Sequence, residues 1–268
     1  MTTTIPFYKM VASGNDFIVI DNREQILRDP VSFAKRVCPR HSGVGADGLL
    51  LYEKSSRADF KMRIINSDGS EAEACGNGFR CIARYAVEKH GAASKFRFES
   101  QSGVIRAEIN GAKIRVQLAR TKDYRERREI SVLGNRLHYS FINTGVPHTV
   151  IFVEGISKID VAALGRAVRH DQAFKPKGTN VNFVEIKGEK DILVRTYERG
   201  VEGETLACGT GSTASAIVST LMGYTKPPVN VKTSGGEILK IDFQVTGTRV
   251  WDVYLEGEAQ FVYEGTIS

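Results

Sequence analysis

The sequence predicts an α+β protein of two pseudo-symmetric halves, each a curved, mostly antiparallel sheet or barrel around a central helix. Three observations predict it. The pattern E-x-x-A-C-G-x-G occurs twice, as Glu-Ala-Glu-Ala-Cys-Gly-Asn-Gly at 71–78 and as Glu-Thr-Leu-Ala-Cys-Gly-Thr-Gly at 204–211. Each copy opens a helix-like run, and runs that alternate apolar with polar residues surround both. Cys75 and Cys208 stand 133 positions apart, about half of the 268 residues.

The elements follow in chain order. Strand patterns in the first half are Phe17-Ile-Val-Ile, Leu49-Leu-Leu-Tyr, Lys61-Met-Arg-Ile-Ile, Lys95-Phe-Arg-Phe-Glu, Val104-Ile-Arg-Ala-Glu-Ile and Lys113-Ile-Arg-Val-Gln-Leu. Those of the second half are His138-Tyr-Ser-Phe-Ile, Thr149-Val-Ile-Phe-Val, Asn182-Phe-Val-Glu-Ile, Ile192-Leu-Val-Arg-Thr, Val229-Asn-Val-Lys-Thr, Glu237-Ile-Leu-Lys-Ile-Asp and Val250-Trp-Asp-Val-Tyr-Leu. Such period-2 alternation marks half-buried strands. Asn110-Gly111 reads as a hairpin turn between two of them.

Asp29 is placed to cap a helix that begins with Pro30, and Asp160 one that begins with Val161. The run after Cys75 ends at Gly91, a helix stop, and carries Arg80, Arg84 and Glu88 at helical spacing, so that face is expected to meet water. The run after Cys208 ends at Gly223 and has no charged residue, the mark of a buried helix. The expected halves are 1–120 with Cys75, joined by a C-terminal strand at 259–268, and 121–258 with Cys208.

Composition excludes several classes. Hydrophobic content of 41% and charged content of 25% suit a globular protein. No run approaches the ~18 apolar residues of a membrane span, and the N-terminus has neither a signal core nor an Arg-rich leader, so a cytoplasmic location is expected. The net charge is +6, but the densest basic stretch, Arg120-Thr-Lys-Asp-Tyr-Arg-Glu-Arg-Arg, is interrupted by acids and reads as solvated surface, not a nucleic-acid face. The four cysteines form no C-x-x-C pair and no zinc spacing. Cys38 and Cys81 read as core thiols.

Cys75 and Cys208 differ because each precedes Gly-x-Gly at a helix start. A helix N-terminus offers unpaired N–H groups and partial positive charge, which favour thiolate and hold a carboxylate. Two such devices suit one reaction. Inverting a carbon next to a carboxylate requires one group to remove a proton from one face and another to deliver one to the opposite face. Amide donors would stabilise the developing negative charge. No cofactor and no metal is called for. Two thiols in one cleft are also expected to be sensitive to mild oxidation.

The motifs Ser13-Gly-Asn-Asp-Phe, Gly43-Val-Gly-Ala-Asp-Gly, Ile65-Asn-Ser-Asp-Gly-Ser-Glu, Ala74-Cys-Gly-Asn-Gly-Phe-Arg-Cys, Pro147-His148, Gly178-Thr-Asn-Val-Asn-Phe, Tyr197-Glu-Arg-Gly and Ala207-Cys-Gly-Thr-Gly together resemble the diaminopimelate epimerase family over nearly the whole chain. The resemblance implies that family's fold and conversion of L,L-diaminopimelate to the meso form, for lysine and often peptidoglycan synthesis, without a cofactor and in a homodimer. It implies that Cys75 and Cys208 are the catalytic pair and that His148 and Glu198 support catalysis. Gly76, Asn77, Gly209 and Thr210 would cradle the reacting carboxylate. Asn15, Asn66, Asn180, Glu198 and Arg199 would line the substrate pocket, with Arg199 on the distal carboxylate.

Asp16, Asp47 and Asp68 adjoin Gly or Asn and read as loop caps. Three positions depart from the family pattern: Val146 stands where Asn often precedes Pro-His, Gly48 stands where some members carry Gln, and the loop Val201-Glu-Gly-Glu is one residue longer than in the shortest members. Val146 bears on distal recognition, for which Asn143 is a substitute donor. The rival readings are a proline, hydroxyproline or histidine racemase of the same architecture, and a binding protein without catalysis.

Overall fold

A computed structural model describes residues 4–268. They divide into two compact units: one runs to Gln117 and regains Glu256–Ser268, and the other is Leu118–Leu255.

The first unit contains β1 (Ile5–Ala12), β2 (Asn15–Asp21), α1 (Pro30–Val37), β3 (Gly48–Glu53), β4 (Phe60–Asn66), α2 (Gly76–His90), β5 (Lys95–Ser100), β6 (Gly103–Asn110) and β7 (Lys113–Gln117). The second contains β8 (Lys122–Val132), β9 (Asn135–Asn143), β10 (Pro147–Phe152), α3 (Val161–Arg169), β11 (Asn180–Ile186), β12 (Asp191–Glu198), β13 (Gly203–Thr205), α4 (Gly209–Leu221), β14 (Val229–Lys232) and β15 (Ile238–Thr246). β16 (Arg249–Glu258) carries the chain back, and β17 (Gln260–Ile267) completes the first unit beside β1.

The duplication read from the cysteine motif extends through the pairing. In the first unit β17–β1 and β1–β2 are antiparallel, β2–β3 parallel, β3–β4 antiparallel, β4–β5 parallel and β5–β6 antiparallel. The second unit repeats this order with β8–β9, β9–β10, β10–β11, β11–β12, β12–β14 and β14–β15. The parallel pairs arise because a helix crosses over between their strands: α1 and α2 in one unit, α3 and α4 in the other. The sheets are open, not closed barrels.

In each unit the helix that follows the cysteine is central. α2 packs on β1, β2, β3, β6 and β7, and α4 packs on β9–β12, β14 and β15. The other helix covers the opposite sheet face. Ile18, Ile20, Leu49 and Leu51 meet Phe33, Ala34 and Val37 of α1, while Val161 and Val168 of α3 meet Val181 and Phe183. With both faces covered, β2 and β3 become continuous apolar runs.

The helix signals in the sequence operate as expected. Asp29 Oδ1 accepts from Ser32 N at 3.0 Å and Asp160 Oδ1 from Ala163 N at 2.9 Å. Gly91 ends α2 at φ 65°, where only glycine is unstrained. All of α4 from Gly211 to Ser219 is buried. One expectation fails. Arg84 does lie toward the surface, paired with Glu88 at 2.7 Å, but Arg80 is fully buried and does not share that face. Its guanidinium is drawn inward by acceptors on Asn77 and Ser13.

Candidate active site

The duplicated motif builds a similar device in each unit. Cys75 is the N-cap of α2 (φ −149°, ψ 111°) and Cys208 the N-cap of α4 (φ −121°, ψ 110°). The leading glutamate of each copy has a structural duty. Glu71 forms a two-pronged ion pair with Arg63 of β4, both contacts 2.8 Å. Glu204 does the same with Arg195 of β12, at 2.8 and 2.7 Å. Each pair ties the loop that enters the cysteine to the preceding strand, and fork-to-carboxylate geometry makes such ties directional. Glu71 and Glu204 both stay ionised, since the hydrogen bonds from their arginines hold each carboxyl below its ordinary value.

In the first unit, Gly78 N donates to Cys75 Sγ at 3.5 Å. A backbone N–H on sulfur, at the positive end of a helix, stabilises negative charge there. A directional chain of side-chain hydrogen bonds runs from the first turns of α2 to the start of β2. Arg80 donates to Asn77 Oδ1 at 2.9 Å, Asn77 Nδ2 donates to Asn15 Oδ1 at 2.8 Å, and Asn15 Nδ2 donates to Asp47 Oδ2 at 2.7 Å. Arg40 bridges Asp47 and Asp16, and Lys9 pairs with Asp16, each at 2.8 Å. Burial raises the Asp16 carboxyl, but hydrogen bonds and charge from Arg40 and Lys9 outweigh it and hold the group well below the usual carboxylate range. Asp68 caps its loop by accepting from Ser70 N at 2.8 Å; Asp16 and Asp47 cap theirs, Asp16 Oδ1 accepting from Asp47 N at 3.1 Å and Asp47 Oδ2 from Asp16 N at 3.2 Å, and Asp47 also ends that hydrogen-bond chain. Asn66 donates to Ser70 Oγ at 2.9 Å at the end of β4, so the structure shows it within the neighbouring turn.

In the second unit, Cys208 is 6% exposed and its Sγ lies 3.5 Å from Thr210 Oγ1. Thr210 O accepts from Thr144 Oγ1 at 3.1 Å. The strand register assembles the rest. β10 pairs His148 with Asn180 of β11. Asn180 Oδ1 accepts from Arg199 N at 2.7 Å, just beyond β12, and Glu198 Oε2 accepts from Thr205 Oγ1 at 3.1 Å. The Arg199 side chain donates to Lys177 O at 3.2 Å. His148 is fully buried; desolvation, aided by the charge of Arg199, lowers its imidazole to about 3, so the ring is neutral near pH 7. Asn143 Oδ1 caps Gly145 N at 3.0 Å, the turn in which Val146 stands.

Gly211 shows how tightly this half is built. A Cβ there would lie 2.4 Å from Asn182 Oδ1 and 3.3 Å from Cys208 Sγ. Among the described residues there is no group of three or more His, Cys, Asp or Glu side chains able to hold a metal, and no helix long and apolar enough to cross a membrane. Cys38 and Cys81 are buried, and desolvation raises the Cys38 thiol to about 11 and pushes Cys81 higher still.

A family profile described as diaminopimelate epimerase matches residues 7–122 and 140–262. A diaminopimelate epimerase of Aquifex aeolicus is 49% identical over 98% of this chain and 97% of its own length. The chain belongs to the diaminopimelate epimerase family. A diaminopimelate epimerase of Methanocella arvoryzae is 44% identical over 99% of this chain and 97% of its own. Among solved structures, a phenazine biosynthesis protein of the PhzF family from Bacillus anthracis superposes with a TM-score of 0.76, covering 100% of both chains at 14% identity. A probable proline racemase from Agrobacterium radiobacter gives 0.72, covering 98% of this chain and 93% of its own at 14% identity. At that identity the likeness concerns the fold alone.

For this diaminopimelate epimerase family chain, two residues of the half-sites escaped sequence reasoning. Arg80 follows Asn77 by three positions, so it returns to the cysteine end of α2 on the same side. Asn182 shares a strand face with Asn180, two residues away, and a polar pair at period 2 on a strand buried on both faces was the available signal.

Proposed function

We propose that the chain converts L,L-diaminopimelate to meso-diaminopimelate by a two-base mechanism in which Cys75 and Cys208 serve the two faces of one α-carbon. The observation that carries this reading is the pair of cysteines, each capping a helix that opens with Gly-x-Gly, in a chain of this family. One sulfur, as thiolate, takes the α-proton while the other, as thiol, delivers a proton from the opposite side; their states exchange with each turnover. Charge develops on the substrate carboxylate. The amides of Gly76, Asn77, Gly209 and Thr210 stand in helix first turns, where intrahelical acceptors are missing, and are suited to receive it.

Asn15, Asn66, Asn180, Glu198 and Arg199 are assigned to the substrate. Asn15 and Asn180 are already oriented, one by Asp47 and Asn77, the other by the Arg199 backbone. Arg199 suits the distal carboxylate and Glu198 an ammonium group. His148 and Glu198 support the chemistry. No cofactor enters the scheme. The working form is taken to be a cytoplasmic homodimer, in keeping with the family resemblance.

The direct test offers the purified protein L,L-diaminopimelate beside proline, hydroxyproline and histidine. Turnover of diaminopimelate alone is expected. Exclusive turnover of a monofunctional amino acid would remove the assignment.

A further inference from the structure

His148 has two ring nitrogens, and the structure treats them differently. Nδ1 lies 3.2 Å from Asn182 Nδ2, while Nε2 is buried with no hydrogen-bond partner among the described residues. Which nitrogen carries the proton follows from how Asn182 is held.

Asn182 is fully buried on β11. Its Nδ2 lies 3.0 Å from Thr149 O, and its Oδ1 accepts from Thr196 Oγ1 at 3.0 Å. A backbone carbonyl can only accept, so the nitrogen of the Asn182 amide must face Thr149. Turning the amide over would set two acceptor oxygens against each other. The amide nitrogen carries two hydrogens in fixed directions. One serves Thr149 and the other points at His148 Nδ1, which must therefore accept. In a neutral imidazole the proton then resides on Nε2.

We propose that Asn182 is a positioning residue for the reaction: it locks His148 in the Nε2–H tautomer, so that His148 meets the reacting groups as a neutral hydrogen-bond donor and not as a base. The inference rests on the epimerase reading for its kinetic consequence, but its structural content stands apart from it. A buried N–H without an acceptor in the ligand-free chain is a rare feature in a folded protein, and it suits a group held ready for an anionic oxygen or sulfur. Low basicity from burial keeps the ring neutral and preserves the donor. The same Asn182 carbonyl lies against Gly211, beside Cys208, so one side chain sets both the ring and the first turn of α4.

The test reads the tautomer itself. Uniformly 15N-labelled protein without substrate gives long-range proton–nitrogen correlations for each imidazole, and the His148 set is assigned by its loss in His148→Gln. Wild type is expected to show Nδ1 unprotonated and Nε2 protonated. In Asn182→Asp a carboxylate faces Nδ1, and the ring is expected to switch to the Nδ1–H form. kcat for diaminopimelate should then fall by at least about tenfold, with KM changed by less, as expected when a histidine is presented in the wrong tautomer. A protonated Nδ1 in wild type overturns the proposal whether or not the variant folds. So does a switched ring in Asn182→Asp with unchanged kcat. A merely structural Asn182 would lower the melting temperature and leave tautomer and kcat alone. Wild type that carries the Nε2–H ring but does not turn over diaminopimelate would instead overturn the epimerase reading.

Discussion

Replacing Gly211 by alanine places a methyl group 2.4 Å from Asn182 Oδ1. An ordinary contact begins near 3.4 Å, so about 1 Å of movement is required where interiors are close-packed. Asn182 cannot move that far freely, because its bonds at 3.0, 3.0 and 3.2 Å would pass out of hydrogen-bonding range. Overpacking of this kind costs about 1–3 kcal/mol. Each buried hydrogen bond lost adds about 1 kcal/mol. The helix gains at most ~1 kcal/mol from exchanging glycine for alanine. The net is a loss of about 2–4 kcal/mol, or a melting temperature lower by roughly 5–15 °C for a chain of this size. Gly78 is the matching position in the other unit, and its tightest neighbour is Met62 Cε at 3.2 Å, the end of a flexible side chain. Gly78→Ala should therefore stay within about 1 kcal/mol of wild type. Thermal unfolding by circular dichroism compares the two. Equal melting temperatures would refute the packing of Asn182 against the first turn of α4.

Two further outcomes are expected. Arg80→Met removes the donor to Asn77 and Ser13 and should lower stability by about 2–3 kcal/mol in urea unfolding, because hydrogen bonds to a buried charged group are being removed; an unchanged midpoint would return Arg80 to a passive role. His148 supplies a pH signature. Its folded value of about 3 lies below its ordinary 6.5, so between those limits the unfolded chain binds a proton that the folded chain does not. Stability must then fall as pH drops through that window, and is not affected by this group above it. Urea midpoints measured from pH 7 to pH 4 should decline less steeply in His148→Gln than in wild type; parallel slopes would contradict the buried, neutral ring.

Much of this architecture was legible in the sequence because it is written twice. The cysteine motif, the helix caps at Asp29 and Asp160, and the period-2 runs all express local rules that packing did not override. β1 and β8 were not read as strands. β8 is the basic stretch taken for surface, and it is surface: charges occupy both of its faces, and pairing with β9 holds it despite shifts of register near Arg125 and Arg128. No apolar alternation was there to find. Arg80 was misread because a charge at helical spacing ordinarily means a wet face, whereas here the acceptors lie inside. Asn182 was passed over beside Asn180 because its work depends on the parallel register of β10 and β11 and on the approach of Gly211. Neither of these is encoded locally. The Glu71 and Glu204 ion pairs likewise became visible only when β4 and β12 brought their arginines alongside.

The central claim is that two separate monoprotic groups, the sulfurs of Cys75 and Cys208, exchange protons with one carbon. Epimerisation of L,L-diaminopimelate in deuterium oxide, stopped early, tests it most directly. The account predicts deuterium at the inverted carbon of the meso product, protium in the recovered substrate, and loss of both turnover and label in Cys75→Ala and in Cys208→Ala. Label appearing in the recovered substrate as fast as in product, or full turnover by either variant, would contradict it.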